Sequence, residues 1–139
     1  MKIRTDFVTN SSSTSFIIIT ENELIKDDFI ELMGVKKESD FYEMMSELYD
    51  NIKRNMATIE DSLSSKYWRE SYSTAEDFLK REFSENIYNK YLEAVENGKK
   101  TYIGTLSSDG EGQLTSFICC DHFEEENEKI FFNYTNCYW

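Results

Sequence analysis

Two rhythms of apolar and polar positions divide this chain. At the N-terminus, the runs Ile3 to Val8 and Ser15 to Ile19 flank the polar stretch Thr9 to Thr14, which has turn-forming residue types, so a β-hairpin is expected. Ile17, Ile18 and Ile19 are consecutive β-branched residues, which predicts a strand buried on both faces in the middle of a sheet. Helical spacing follows. Thr20 and Glu23 read as a capping box for a first helix through Ile25, Phe29, Leu32 and Met33, with Gly34 as its stop. Ser39 is placed to cap a longer second helix, because Phe41, Met45, Leu48, Ile52, Met56, Ile59 and Leu63 recur at steps of three and four. Its other face carries Asp40, Glu43, Glu47, Asp50, Lys53, Arg54 and Asp61.

Ser62 to Thr74 reads as a connection with embedded aromatics, Tyr67, Trp68 and Tyr72. Ser73 and Glu76 form a second capping box, and Leu79, Phe83, Ile87, Tyr91 and Val95 then predict a third helix ending at Gly98. From Lys99 the period changes to that of strands. Thr101 to Leu106 and Leu114 to Cys120 are joined by the turn-rich Ser107 to Gly112, an acidic loop follows from Glu124 to Glu128, and Lys129 to Tyr134 reads as a last strand. The order predicts an α+β fold: a mainly antiparallel sheet, from an N-terminal hairpin and three C-terminal strands, with about three helices packed on one face.

Composition adds limits to this picture. With 139 residues, 40% of them hydrophobic and 15% aromatic, a single domain over residues 1–139 is expected. The 27 acidic against 15 basic residues give a formal charge of −12, spread over both halves, which argues against a direct grip on nucleic acid and for a basic protein partner. The three cysteines are an odd number behind an N-terminus of strand character, and no apolar run approaches the ~20 residues of a membrane helix. A reducing cytoplasm and no membrane contact are therefore expected.

The string Phe7-Val8-Thr9-Asn10-Ser11-Ser12-Ser13-Thr14-Ser15-Phe16, after Lys2-Ile3-Arg4-Thr5, resembles the N-terminal signature of a loose group of small bacterial and phage proteins. In that group Phe-Val-Ser-Asn precedes a serine run and a Phe. This chain differs in carrying Thr9 and Thr14 where serine is commoner and Asp6 where glycine is often seen. The resemblance implies a bacterial or mobile-element origin and names no chemistry.

Candidate chemistry is sparse. Asn10, Ser11, Ser12, Ser13 and Thr14 could serve as a loop recognised or modified by a partner enzyme, yet no P-loop lysine or nucleophile elbow frames them, so a structural turn is favoured. Cys119, Cys120, Asp121, His122 and Cys137 hold the residue types zinc prefers, but at a spacing that fits structural zinc sites poorly, and neither a metal nor a cofactor is expected. Cys120 and His122 would share one side of a strand, yet no third orienting group is identifiable, so an enzyme is not expected. What remains is the acid. Glu43, Glu47, Asp50, Glu60 and Asp61, taken as lying on the second helix, together with Glu124, Glu125 and Glu126, are the candidate partner-binding residues. The function expected from this is a non-enzymatic inhibitor that presents acid to the basic groove of a nucleic-acid-handling defence enzyme, such as a CRISPR nuclease. The alternatives are a substrate module acting through the serine loop and a small metalloenzyme built on the Cys/His set.

Overall fold

In the computed structural model the described residues are 13–64, 70, 72–107 and 123–136. The strand of three isoleucines, β1 (Ser13–Thr20), lies at the centre of a five-stranded sheet. It pairs antiparallel with β3 (Lys100–Ser107) on one side and with β5 (Ile130–Asn136) on the other. The short strands β2 (Met56–Thr58) and β4 (Phe123–Glu126) flank these, giving the order β2-β3-β1-β5-β4 with every pair antiparallel. The fold is α+β, with five described helices. The N-terminal run Ile3 to Val8, the turn Ser108 to Gly112 and the run Leu114 to Cys120 lie outside the described residues.

Helices cover both faces of this sheet, which overturns the expectation of one. Phe16 and Ile18 pack with Phe29, Ile30 and Leu32 of α1 (Lys26–Leu32) and Leu48 and Ile52 of α2 (Tyr42–Asn55). Ile17 and Ile19 face the opposite way, onto Ile59 of α3 (Ile59–Ser64), Phe78 and Leu79 of α4 (Ala75–Glu82), and Ile87, Tyr91 and Ala94 of α5 (Glu85–Glu96). The cause is visible in three strands. Alternate side chains of a strand point to opposite sides, and Ile17–Ile18, Tyr102–Ile103 and Phe131–Phe132 are each an apolar pair with one buried member in each core. A sheet that is apolar on both sides needs two covers.

Each long predicted helix is shorter or divided. Thr20 is the last residue of β1, paired with Lys100 and Ile130, so it is taken by the ladder and caps nothing; α1 begins at Lys26 behind Ile25, which makes no side-chain cap. Its end is as expected. Gly34 stands at φ +78°, and the bonds Gly34 N–H to Glu31 C=O (3.0 Å) and Val35 N–H to Ile30 C=O (3.2 Å) form a Schellman motif. Gly98, at φ +71°, ends α5 in the same way.

The second helix stops at Asn55 because Met56–Thr58 leave it to pair with Gly104, Ile103 and Tyr102. Gly104 permits the crossing: a Cβ there would lie 2.3 Å from the Asn55 carbonyl oxygen and 2.5 Å from the Phe16 ring. The third helix breaks at Phe83 and Ser84. Thr74, one residue later than expected, accepts a bond from the Asp77 N–H at 3.0 Å to cap α4, while the Ser84 hydroxyl accepts from the Ile87 N–H at 3.4 Å to cap α5. Phe83 between them turns inward and meets the Phe78 ring edge-on at 6.0 Å. Val95, expected in the core, is 55% exposed, and Ala94 takes its place.

Candidate functional site

The eight candidate acids do not meet on one surface. Glu43, Glu47 and Asp50 are exposed on α2, spaced i, i+4 and i+7 along one side. Glu60 and Asp61 are not on that helix. They form the first turn of α3, beyond the edge strand β2 and against the other face of the sheet, where Thr58 accepts the Asp61 N–H at 3.2 Å. Acid in a first turn complements the positive end of a helix, which accounts for both residues without a partner.

Glu124, Glu125 and Glu126 are also not a loop. They form the outer strand β4 at the opposite edge of the sheet from β2, and the reversal is made by Asn127, whose Oδ1 accepts from the N–H groups of Lys129 (2.8 Å) and Ile130 (2.9 Å). Two of these acids have local roles. Glu126 receives both bonds of the Lys90 ammonium at 2.8 Å, and Glu124 accepts from Asn133 Nδ2 at 3.0 Å. Three glutamates on an edge strand also discourage pairing with another chain.

On α2 the balance differs. Asp50 is paired with Lys26 at 3.3 Å, whereas Glu43 and Glu47 make no ion pair with another described residue. The spacing of the stripe places Phe41 in the core, but it is 61% exposed, because it stands at the N-cap, ahead of the turns that face the sheet. Tyr42 next to it reaches Asp27 Oδ1 at 3.5 Å, while Leu48 and Ile52 anchor the helix below. The result is an exposed aromatic side chain at the start of a helix whose Glu43 and Glu47 are also exposed. Sequence reasoning found the acids and missed the ring. No local spacing separated it from the core stripe: Ser39, expected as the cap, accepts the Phe41 N–H at 3.1 Å, and Phe41 itself stands at the N-cap with no side-chain cap.

Ionisation around α2 follows from burial. The Tyr49 hydroxyl, which donates to the Leu24 carbonyl at 2.8 Å, titrates above its ordinary range, first because it is desolvated and then because Glu23 and Asp50 are near. At the surface, a hydrogen bond and the charge of Asp28 raise Lys129.

Ser13 and Thr14 are part of β1, not of a turn, which removes two residues from the expected recognition loop; Asn10, Ser11 and Ser12 lie outside the described residues. Cys119, Cys120, Asp121, His122 and Cys137 lie outside them as well. Among the described residues no three His, Cys, Asp or Glu side chains converge to hold a metal ion, and no helix is long and apolar enough to cross a membrane. No protein-family model, curated protein or solved structure matches this chain.

Proposed function

We propose that this chain is a non-enzymatic binding protein whose partner presents a basic surface to the N-terminal half of α2. The observation that carries this reading is Phe41, 61% exposed at the N-cap of α2, the helix whose surface carries the exposed Glu43 and Glu47. An aromatic anchor gives an interface its affinity, and surrounding charge selects the partner and speeds encounter. The partner class we favour is a nucleic-acid-handling enzyme of bacterial defence, such as a CRISPR nuclease, whose basic groove the acid would occupy. The N-terminal resemblance to bacterial and phage proteins and the net charge of −12 support that choice. Glu60 and Asp61, at the start of α3, and the glutamates of β4 lie apart from α2 and take no part in this interface.

The test is affinity capture from bacterial lysate at low and high salt, with the retained protein identified by mass spectrometry and its nuclease activity then assayed with the purified chain. A basic enzyme, released by salt and inhibited by the chain, is expected. Phe41→Ala, and Glu43→Lys with Glu47→Lys, should each abolish capture while leaving thermal unfolding unchanged. Capture that survives both changes would refute the role of α2.

A further inference from the structure

The corner where α1 gives way to α2 carries a hollow and, next to it in sequence, an exposed aromatic side chain. Gly34 turns the chain out of α1, and Tyr42, in the first turn of α2, reaches back to Asp27, so the two helices and their connection border a hollow of about 560 Å³. Its apolar lining is Ile30, which is buried, with Val35 and Tyr42, which are half-buried. Phe41, the residue before Tyr42, is 61% exposed. The rim carries both signs of charge. Lys37 is paired with Asp27 at 3.6 Å, whereas Lys36, Glu31 and Glu38, all exposed, form no ion pair with another described residue. A second exposed apolar patch lacks this mixture. Leu92 and Val95 lie on α5, whose exposed charges, Glu85, Glu93 and Glu96, are all acidic and whose Lys90 is held by Glu126, so two copies would meet there acid against acid.

We infer that the α1–α2 corner joins two copies of the chain in a homodimer: Phe41 of each enters the hollow of the other, and Lys36 of each meets Glu38 of the other. A patch that holds a projection and a recess, and a cation and an anion, at different points fits itself about a twofold axis, because every contact is made twice with the roles exchanged. The net charge of −12 opposes association of any kind, but that repulsion is spread over the surface, and salt screens it beyond about 8–10 Å. Two aromatic anchors and two charge pairs act at contact distance, where screening is weaker. A patch confined to one corner buries little area, so the dimer is reversible. The dimer does not depend on the partner proposed above; where both form, a second copy and that partner compete for Phe41.

Sedimentation of the purified chain in about 0.15 M salt, from micromolar to millimolar concentration, is the test. A mass rising reversibly from one chain towards two is expected. Phe41→Ala should weaken the dimer by about tenfold or more, while thermal unfolding at micromolar concentration, where the parent is a single chain, stays unchanged. Lys36→Glu and Glu38→Lys should each weaken it by roughly tenfold, and an equimolar mixture of the two should recover the parent's affinity, since both pairs are then restored with their signs reversed. Lys100→Glu makes the same change of net charge as Lys36→Glu at an exposed position at the start of β3, and should leave the affinity within about twofold. With benzoylphenylalanine in place of Phe41, irradiation should join two chains at a residue of the hollow, such as Val35 or Tyr42. A protein that stays a single chain at millimolar concentration would leave the hollow to another occupant and overturn the proposal. So would a dimer that survives Phe41→Ala, a charge-swapped mixture no tighter than its components, a loss in Lys100→Glu equal to that in Lys36→Glu, or a cross-link outside the hollow.

Discussion

Replacing Gly104 with alanine adds a single carbon at the point where α2 gives way to β2. That carbon would stand 2.3 Å from the Asn55 carbonyl oxygen and 2.5 and 2.9 Å from two atoms of the Phe16 ring. The ring could rotate, but Phe16 is fully buried and in edge contact with Phe132 at 6.3 Å; the carbonyl belongs to the backbone and moves only if β2 shifts off β3. Overpacking of this kind costs about 1–3 kcal/mol, and a backbone obstacle belongs at the upper end. The entropy that alanine removes from the unfolded chain offsets about 0.4–1 kcal/mol, leaving a net loss of about 2 kcal/mol. With a urea dependence of about 1.5 kcal/mol per molar for a chain of this size, the midpoint should fall by about 1–1.5 M with an unchanged slope. Thr105→Ala, at the exposed neighbour, is the control and should stay within about 0.5 kcal/mol of the parent. If Gly104→Ala unfolds at the parent's midpoint or above it, the close crossing of β3 by the end of α2 is refuted.

Further tests probe the two cores and the buried polar groups. Ile17→Val and Ile18→Val remove one methylene each from opposite faces, so each should cost about 1 kcal/mol and the double variant should be additive within about 0.5 kcal/mol by urea unfolding. Strong coupling would show that the faces are one core. Asn133 is buried with Oδ1 unbonded, while its Nδ2 serves only the exposed Glu124; Asn133→Val should therefore raise stability by about 1 kcal/mol, and a clear loss would show that the carbonyl has a partner. Tyr49, Tyr91 and Tyr102 all titrate above their ordinary value, mainly through burial. The unfolded chain then releases these protons first as pH rises, so their contribution is intact below about pH 10 and is lost above it. Urea midpoints flat from neutrality to about pH 9 and falling beyond about pH 10 are expected, with a smaller alkaline fall in Tyr49→Phe.

The class of fold and its central strand were legible because three consecutive isoleucines can be buried only between two layers. The same residues also signalled the second helical layer, but the order of strands and helices along the chain pointed to one face. Helix ends marked by glycine were read correctly at Gly34 and Gly98, since a positive φ is a local demand. Ends set by tertiary contact were not. Met56 to Thr58 continue the helical stripe of α2 and leave it only because an edge of β3 is free to pair beside Gly104, and Phe83 fits a continuous helix until its ring is needed beneath Phe78. For the site, exposed acid on α2 was legible from periodicity, whereas the exposure of Phe41 depends on where the first turn begins. A cleft lined by Arg54, Phe78 and Thr105 joins residues from six elements, and no sequence spacing brings them together.

The central place of β1 has a consequence for how the chain is made. Its partners are remote in sequence: Thr20 pairs with Lys100 and with Ile130, and Ser15 pairs with Thr105 and Thr135. The ribosome therefore emits the most apolar strand early and both of its neighbours late, an interval on the order of ten seconds at typical rates of synthesis. During that interval Phe16 to Ile19 have no sheet to enter, while α1 and α2 have already emerged with the apolar sides that will cover one face. The last of these strands to be made closes one side of β1, so assembly of the sheet waits on strongly non-local pairing. A nascent or truncated chain that lacks β5 would present this strand to chaperones or to other copies of itself.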